Sequence, residues 1–138
     1  MITTNSKPDK ITFVVTGVMA IAAGSKPCCA LERLFVDGVE LTPERSLKVR
    51  NHSPNGFAWG YNGSGAAQTA LAICLHIFQN VTAAETVYQD FKRNFVSKWP
   101  LAKPFNVQVD LTNFLLDYWP AIAEAYDSGH NQDDQDET

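Results

Sequence analysis

The apolar positions of this chain follow two periods, one in each half. "ITFVVTGVMAIA", residues 11–22, is rich in Val, Ile, Phe and Thr and reads as a strand. In "LERLFVDGVEL", residues 31–41, two apolar runs flank Asp37-Gly38. That dipeptide favours a two-residue type I′ turn, so residues 31–36 and 39–41 are expected to pair as a hairpin. Thr42-Pro43-Glu44 turns the chain, and "SLKVRNHS", residues 46–53, is expected as a further short strand stopped by Pro54.

From about residue 65 the period becomes helical. Ala67, Ala70, Leu71, Cys74, Ile77 and Phe78 share one face. "TAAE", residues 82–85, reads as a capping box in which Thr82 and Glu85 satisfy each other's backbone amides. The helix it opens carries Val87, Tyr88, Phe91, Phe95 and Trp99 on one side and ends before Pro100. "FNVQVD", residues 105–110, is a last short strand. A third helix is expected from about Thr112, burying Leu115, Tyr118, Trp119, Ile122 and Tyr126. Pro120 would cost a helix interior about 3 kcal/mol, so that helix either kinks there or begins there. The pattern as a whole predicts an α+β fold. A small antiparallel sheet from the N-terminal half packs against about three C-terminal helices, near 65–79, 83–98 and 112–126. Trp59, Phe91 and Trp119 are expected in its core.

Length and composition narrow the class. The 138 residues suit a single domain, with a polar lead over residues 1–9 and an acidic tail over about 128–138. A chain of this length buries roughly two-thirds of its unfolded surface and needs no metal or disulfide to hold it. The formal net charge of −4 and pI near 5.2 argue against general nucleic-acid binding, which requires a basic excess. Cys28, Cys29 and Cys74 form no C-x-x-C pair and have no histidine at ligand spacing, which points to reduced thiols and a cytoplasmic setting. Cys74 lies on an apolar helix face, where a thiol behaves as a small hydrophobe. The stretch 10–30 has the look of a secretory signal, but Thr12, Thr16 and Gly17 interrupt its apolar run. It also falls short of the roughly 20 apolar residues a membrane span needs.

Catalytic signals are sparse. His52, His76 and His130 stand in no nucleophile-elbow, Walker, zincin or kinase pattern, and Asp90 and Asp117 have no carboxylate close by in sequence. The expectation is a non-catalytic protein with no metal and no cofactor. Residues 55–75, "NGFAWGYNGSGAAQTALAICL", hold the best candidate site. Lys48, Arg50 and His52 would share one face of the 46–53 strand, and Phe57, Trp59 and Tyr61 would share another. Gly63-Ser64-Gly65 then opens a helix whose first N–H groups lack internal partners and carry the positive end of the dipole. Arg50, His52, Trp59, Tyr61, Gly63, Ser64 and Gly65 together suit a nucleotide or another flat anion. The plainer alternative makes Ser64 an N-cap, the aromatics core, and the glycines a means of close helix–sheet packing. The acidic tail, with Asp133, Asp134, Asp136 and Glu137, is either a solvated end or a mimic of nucleic-acid phosphate toward a basic partner.

The stretch "RNHSPNGFAWGYNGSGAAQTALAICL" resembles the core of an uncharacterised family found in bacteria, phages and mobile elements. Its members carry a pattern close to N-H-S-P-x-G-F-x-W-G-Y-x-G-S-G-P-A-Q-L-A-L-A-I-L. Asn51, His52, Ser53, Pro54, Gly56, Phe57, Trp59, Gly60, Tyr61, Gly63, Ser64, Gly65, Ala67 and Gln68 match it. Ala66 replaces the proline and Thr69 the leucine. "YQDFKRNFVSKWP" and the "VDGVEL" hairpin extend the likeness over roughly residues 31–119. The resemblance implies no activity and transfers no catalytic residue. It does imply, by analogy with small acidic phage proteins, a binding protein that inhibits a host defence component, such as an anti-CRISPR. The alternatives are a sponge for a nucleotide signal and a small nucleotide-acting enzyme. The expected partners are a host protein or complex, a small anionic nucleotide, or a second copy of the chain.

Overall fold

The computed structural model describes residue 2 and residues 6–21, 30–54 and 56–128. Strands β1 (Thr12–Ile21), β2 (Ala30–Val36), β3 (Val39–Leu41) and β4 (Phe105–Asp110) form one antiparallel sheet in the order β3-β2-β1-β4. Alternation along each strand sets its two faces. Val15 stands opposite both Val36 and Val107, and Phe13 opposite Val109. One face therefore gathers Phe13, Val15, Leu34, Val36, Phe105 and Val109, all buried. The other face carries Thr12, Val14, Thr16, Val18, Arg33 and Phe35, with the Arg33 guanidinium above the Phe35 ring and paired to Glu40. Asp37 and Gly38 have φ of 49° and 82°, the two positive angles that a type I′ hairpin requires. The Asp37 carboxylate also accepts from the Val14 N–H at 2.8 Å, which ties the hairpin tip to β1.

Helices α1 (Glu44–Val49), α2 (Ser64–Phe78), α3 (Val81–Asn94) and α4 (Trp119–Asp127) cover the apolar face, with a 3₁₀ turn at Val96–Lys98. In α2 every residue but Ser64 and His76 is buried, so it is the centre of the core rather than a surface helix. Gln79, in the left-handed region at φ 52°, and Asn80 turn the chain directly from α2 into α3. Phe91 of α3 meets Phe13 of β1 with ring centroids 6.5 Å apart and stacks on Phe95 at 5.1 Å. Trp59 and Trp99 both pack on Phe105 of β4. Trp59 and Phe91 are fully buried, as expected, whereas Trp119 is only partly covered at the edge of the core.

Four local expectations are corrected. Residues 46–53 are not a strand: Pro43, with φ −72° and αR backbone, starts α1 at Glu44, and Ser46 Oγ donates to Pro43 O at 2.9 Å. A proline preset to helical φ outweighed an alternation too short to choose between periods. Thr82 is not the N-cap of α3. Asn80 has extended backbone and its side chain accepts from Ala83 N–H, so the helix starts earlier on an equally good cap. Helix α3 stops at Asn94, where Phe95 leaves helical angles, before the 3₁₀ turn continues toward Pro100. Residues 112–118 form successive turns, and α4 begins with proline in its first turn, where the missing N–H costs nothing. Cys28, Cys29, His130 and the acidic tail positions lie outside the described residues.

Candidate functional site

Two polar side chains interrupt the apolar surface of α2, Gln68 and Thr69, and neither is exposed. A buried amide without partners costs about 1–3 kcal/mol, so their bonds define what the surrounding chain must do. Gln68 Nε2 donates to Ser46 Oγ (2.8 Å) and to Arg50 O (3.1 Å). Its Oε1 accepts from the backbone N–H of His52 (2.7 Å) and Ser53 (3.1 Å). All four positions of one amide are thus used: three fix residues 50–53 against α2 and the fourth holds Ser46 of α1. Thr69 Oγ1 accepts from Ala58 N–H at 3.0 Å and lies within donating reach of Ala58 O (2.7 Å) and Gly65 O (2.9 Å). The two residues clamp the start and the middle of the segment that connects α1 to α2.

The clamp decides where the expected site residues go. Trp59 is buried, and its Nε1–H donates to Lys103 O at 2.9 Å. Gly60 sits at φ 87° with its N–H bonded to Val96 O at 3.0 Å, and a Cβ there would meet Leu101 N at 2.6 Å. This reversal ends the alternation of Phe57, Trp59 and Tyr61: the first two are buried, while Tyr61 is 41% exposed. The Tyr61 ring lies over the turn instead. A Cβ on Gly63 would meet Tyr61 Cδ2 at 2.8 Å, and one on Gly65 would meet Tyr61 Oη at 2.8 Å and Ala58 Cβ at 2.6 Å. Gly63, not Ser64, is the N-cap, and Ser64 is an exposed first-turn residue. Trp59, Tyr61, Gly63, Ser64 and Gly65 therefore build a close-packed joint into α2, and the face over the glycines is occupied by Tyr61.

Arg50 and His52 do not share a strand face; the clamp turns both toward α3. Arg50 Nε donates to Glu85 Oε2 at 2.7 Å. His52 Nε2 lies 2.7 Å from Tyr88 Oη, with ring centroids 5.6 Å apart. Gln89 Nε2 donates to the same phenol oxygen at 3.1 Å. Partial burial lowers the imidazole's pKa, and the nearby charges of Arg50 and then Lys92 lower it further. The result is a cluster in which Arg50, His52, Glu85, Gln89 and Lys92 gather at the surface beside the buried Tyr88. Sequence reasoning placed Tyr88 on a buried face, where it lies, but assigned Glu85 to a cap rather than to Arg50. Gln68 was marked only as a match to the family pattern, although a glutamine inside an Ala/Leu/Ile helix is itself a signal.

Among the described residues no group of three or more His, Cys, Asp or Glu is arranged to hold a metal ion. No helix among them is long and apolar enough to cross a membrane. The profile of a family of unknown function, DUF6166, matches residues 27–116. The chain belongs to this family. The matched residues run from before β2, through the clamp and α3, to the turns that precede α4. Neither a curated protein nor a solved structure matches the chain.

Proposed function

We propose that this DUF6166 protein is a non-catalytic binding protein that engages a partner through the Arg50–His52–Glu85 surface. One observation carries the reading. In the segment 50–69 the buried side chains Trp59, Gln68 and Thr69 bond within the protein, and Tyr61 covers the glycine turn. Arg50 and His52 are the candidate residues that this scaffold brings out beside titratable groups of α3. A rigid backbone bearing a few polar groups at the surface suits recognition. The partner we propose is a host defence protein or complex, inhibited in the bacterial cytoplasm by a protein of phage or mobile-element origin. The net charge of −4 favours a protein over nucleic acid as that partner.

A nucleotide sponge at Gly63–Gly65 has less support, because the Tyr61 ring stands where the anion would approach. The reading is tested by expressing the protein in bacteria that carry individual defence systems and scoring phage plaques. Co-purified proteins and small molecules are identified in parallel by mass spectrometry. Restored plaquing against one system, lost in the Arg50→Ala, His52→Ala double variant with its fold intact, is the expected result. No rescue across the panel and no partner retained by wild type over the variant would reject it.

A further inference from the structure

The chain contains two Asn-Gly steps, Asn55-Gly56 and Asn62-Gly63, which the local sequence does not tell apart. Glycine is the successor that hinders an asparagine side chain least, because no Cβ stands beside its nitrogen. The fold separates the two steps. Gly56 N–H donates to Ser53 O at 3.4 Å, and Asn55 lies outside the described residues. Gly63 has extended backbone, φ −133° and ψ −163°, and its carbonyl accepts from Ala67 N–H at 2.9 Å. Among the described residues its N–H has no partner. Asn62 is exposed, and its side-chain amide likewise bonds to no described residue. Comparable steps elsewhere are held. The N–H groups that follow Asn51 and Asn94 are bonded to Gln68 Oε1 and Phe91 O. In Asp37-Gly38 the carboxylate accepts from Val14 N–H at 2.8 Å.

We propose that Asn62 is a site of spontaneous covalent modification, at which the Gly63 nitrogen attacks the side-chain carbonyl and converts the asparagine to aspartate and isoaspartate. A solvent base removes the Gly63 N–H proton. The nitrogen bonds to Asn62 Cγ, the Cγ–Nδ2 bond breaks, and the amide nitrogen leaves as ammonia with a proton from water. Water then opens the cyclic imide. Attack at Cγ gives aspartate, and attack at the backbone carbonyl carbon gives isoaspartate, whose main chain runs through Cβ and Cγ. One water is consumed and one ammonia released, with no oxidation or reduction.

Both products put a carboxylate just ahead of the first turn of α2, where the helix dipole favours negative charge. Isoaspartate also lengthens the main chain by one carbon at a joint with no slack. A Cβ on Gly63 would meet Tyr61 Cδ2 at 2.8 Å, and one on Gly65 would meet Tyr61 Oη at 2.8 Å. The isoaspartyl form therefore displaces the Tyr61 ring from the turn, whereas the aspartyl form keeps it. The joint is distinct from the Arg50–His52 cluster, and the inference does not depend on the function proposed for that cluster.

The test incubates the full chain at mildly alkaline pH in ¹⁸O-labelled water, once folded and once in urea. Cleavage at the aromatic residues between the two steps separates Asn55 from Asn62, and mass spectrometry with electron-transfer fragmentation distinguishes aspartate from isoaspartate. An N–H engaged in a hydrogen bond reacts only through local opening, so Asn62 is expected to convert about fivefold faster than Asn55 in the folded protein, and the two rates should converge in urea. The isoaspartyl species, isolated by ion exchange, should show shifted NMR signals at the Tyr61 ring and at residues 63–65, while an Asn62→Asp variant keeps the wild-type Tyr61 signals. Equal rates in the folded protein, faster conversion at Asn55, or an Asn62 that converts only in urea overturns the proposal. Aspartate without isoaspartate would mean direct hydrolysis and reject the Gly63 route. An isoaspartyl form with unshifted Tyr61 signals would reject the tight joint on which the consequence rests.

Discussion

Replacing Gln68 by leucine removes one side chain and unsettles four backbone and hydroxyl partners. Leucine fills a similar volume, so the loss is polar rather than steric. Ser46 Oγ retains its bond to Pro43 O, but Arg50 O and the N–H groups of His52 and Ser53 lose their acceptor or donor. A buried group left unsatisfied costs about 1–3 kcal/mol. Because residues 50–53 are partly exposed, water recovers some of that, and the net cost is about 3–4 kcal/mol. For a chain of this length each kcal/mol moves the thermal midpoint by roughly 3–5 °C, so a fall of about 10–15 °C is expected. Gln68→Glu refines the test. The introduced carboxylate keeps the acceptors for His52 and Ser53 but faces Arg50 O without a proton. Burial would raise its folded pKa above the unfolded value of about 4.3. Stability relative to wild type would then fall as pH rises from the unfolded pKa to the folded pKa, and be largely regained below both. Thermal melts by circular dichroism from about pH 4 to 8 read both effects. A leucine variant within about 2 °C of wild type, or a glutamate variant with no pH dependence, would refute the clamp as the organiser of residues 50–53.

Two further measurements follow. Gly60 and Gly38 both have positive φ, 87° and 82°, but a Cβ at Gly60 meets Leu101 backbone while one at Gly38 meets nothing within 4 Å. Gly38→Ala should cost only the conformational term of about 1 kcal/mol, and Gly60→Ala several-fold more, in urea unfolding; equal losses would contradict the packing of the 99–101 loop on Gly60. The His52 imidazole, lowered by burial and by Arg50 and Lys92, is expected to titrate below the ordinary histidine value of about 6.5 and to move upward in Arg50→Ala. Because its folded pKa is depressed, its contribution to stability should be recovered as pH rises from the folded pKa through 6.5, and NMR of the ring protons in both proteins checks the assignment.

The local sequence determined a good part of this molecule. Asp37-Gly38 specifies the hairpin through its backbone angles, and the apolar spacing of residues 67–78 and 87–91 specifies two helices, because each signal acts within a few residues. The α+β class follows from those elements. The same local signals failed at residues 46–53, where eight residues fit either period, and at Thr82, where Asn80 offers an equivalent cap two residues earlier. The site was decided by tertiary structure. Arg50 and His52 are adjacent to the glycine turn in sequence, yet Gln68 bends them toward Glu85 and Tyr88, 35 and 36 residues away. Periodicity reports which face of an element is buried, but it does not contain which other element that face meets. That depends on packing α2 against both the α1 segment and α3 at once, and only the folded chain carries it.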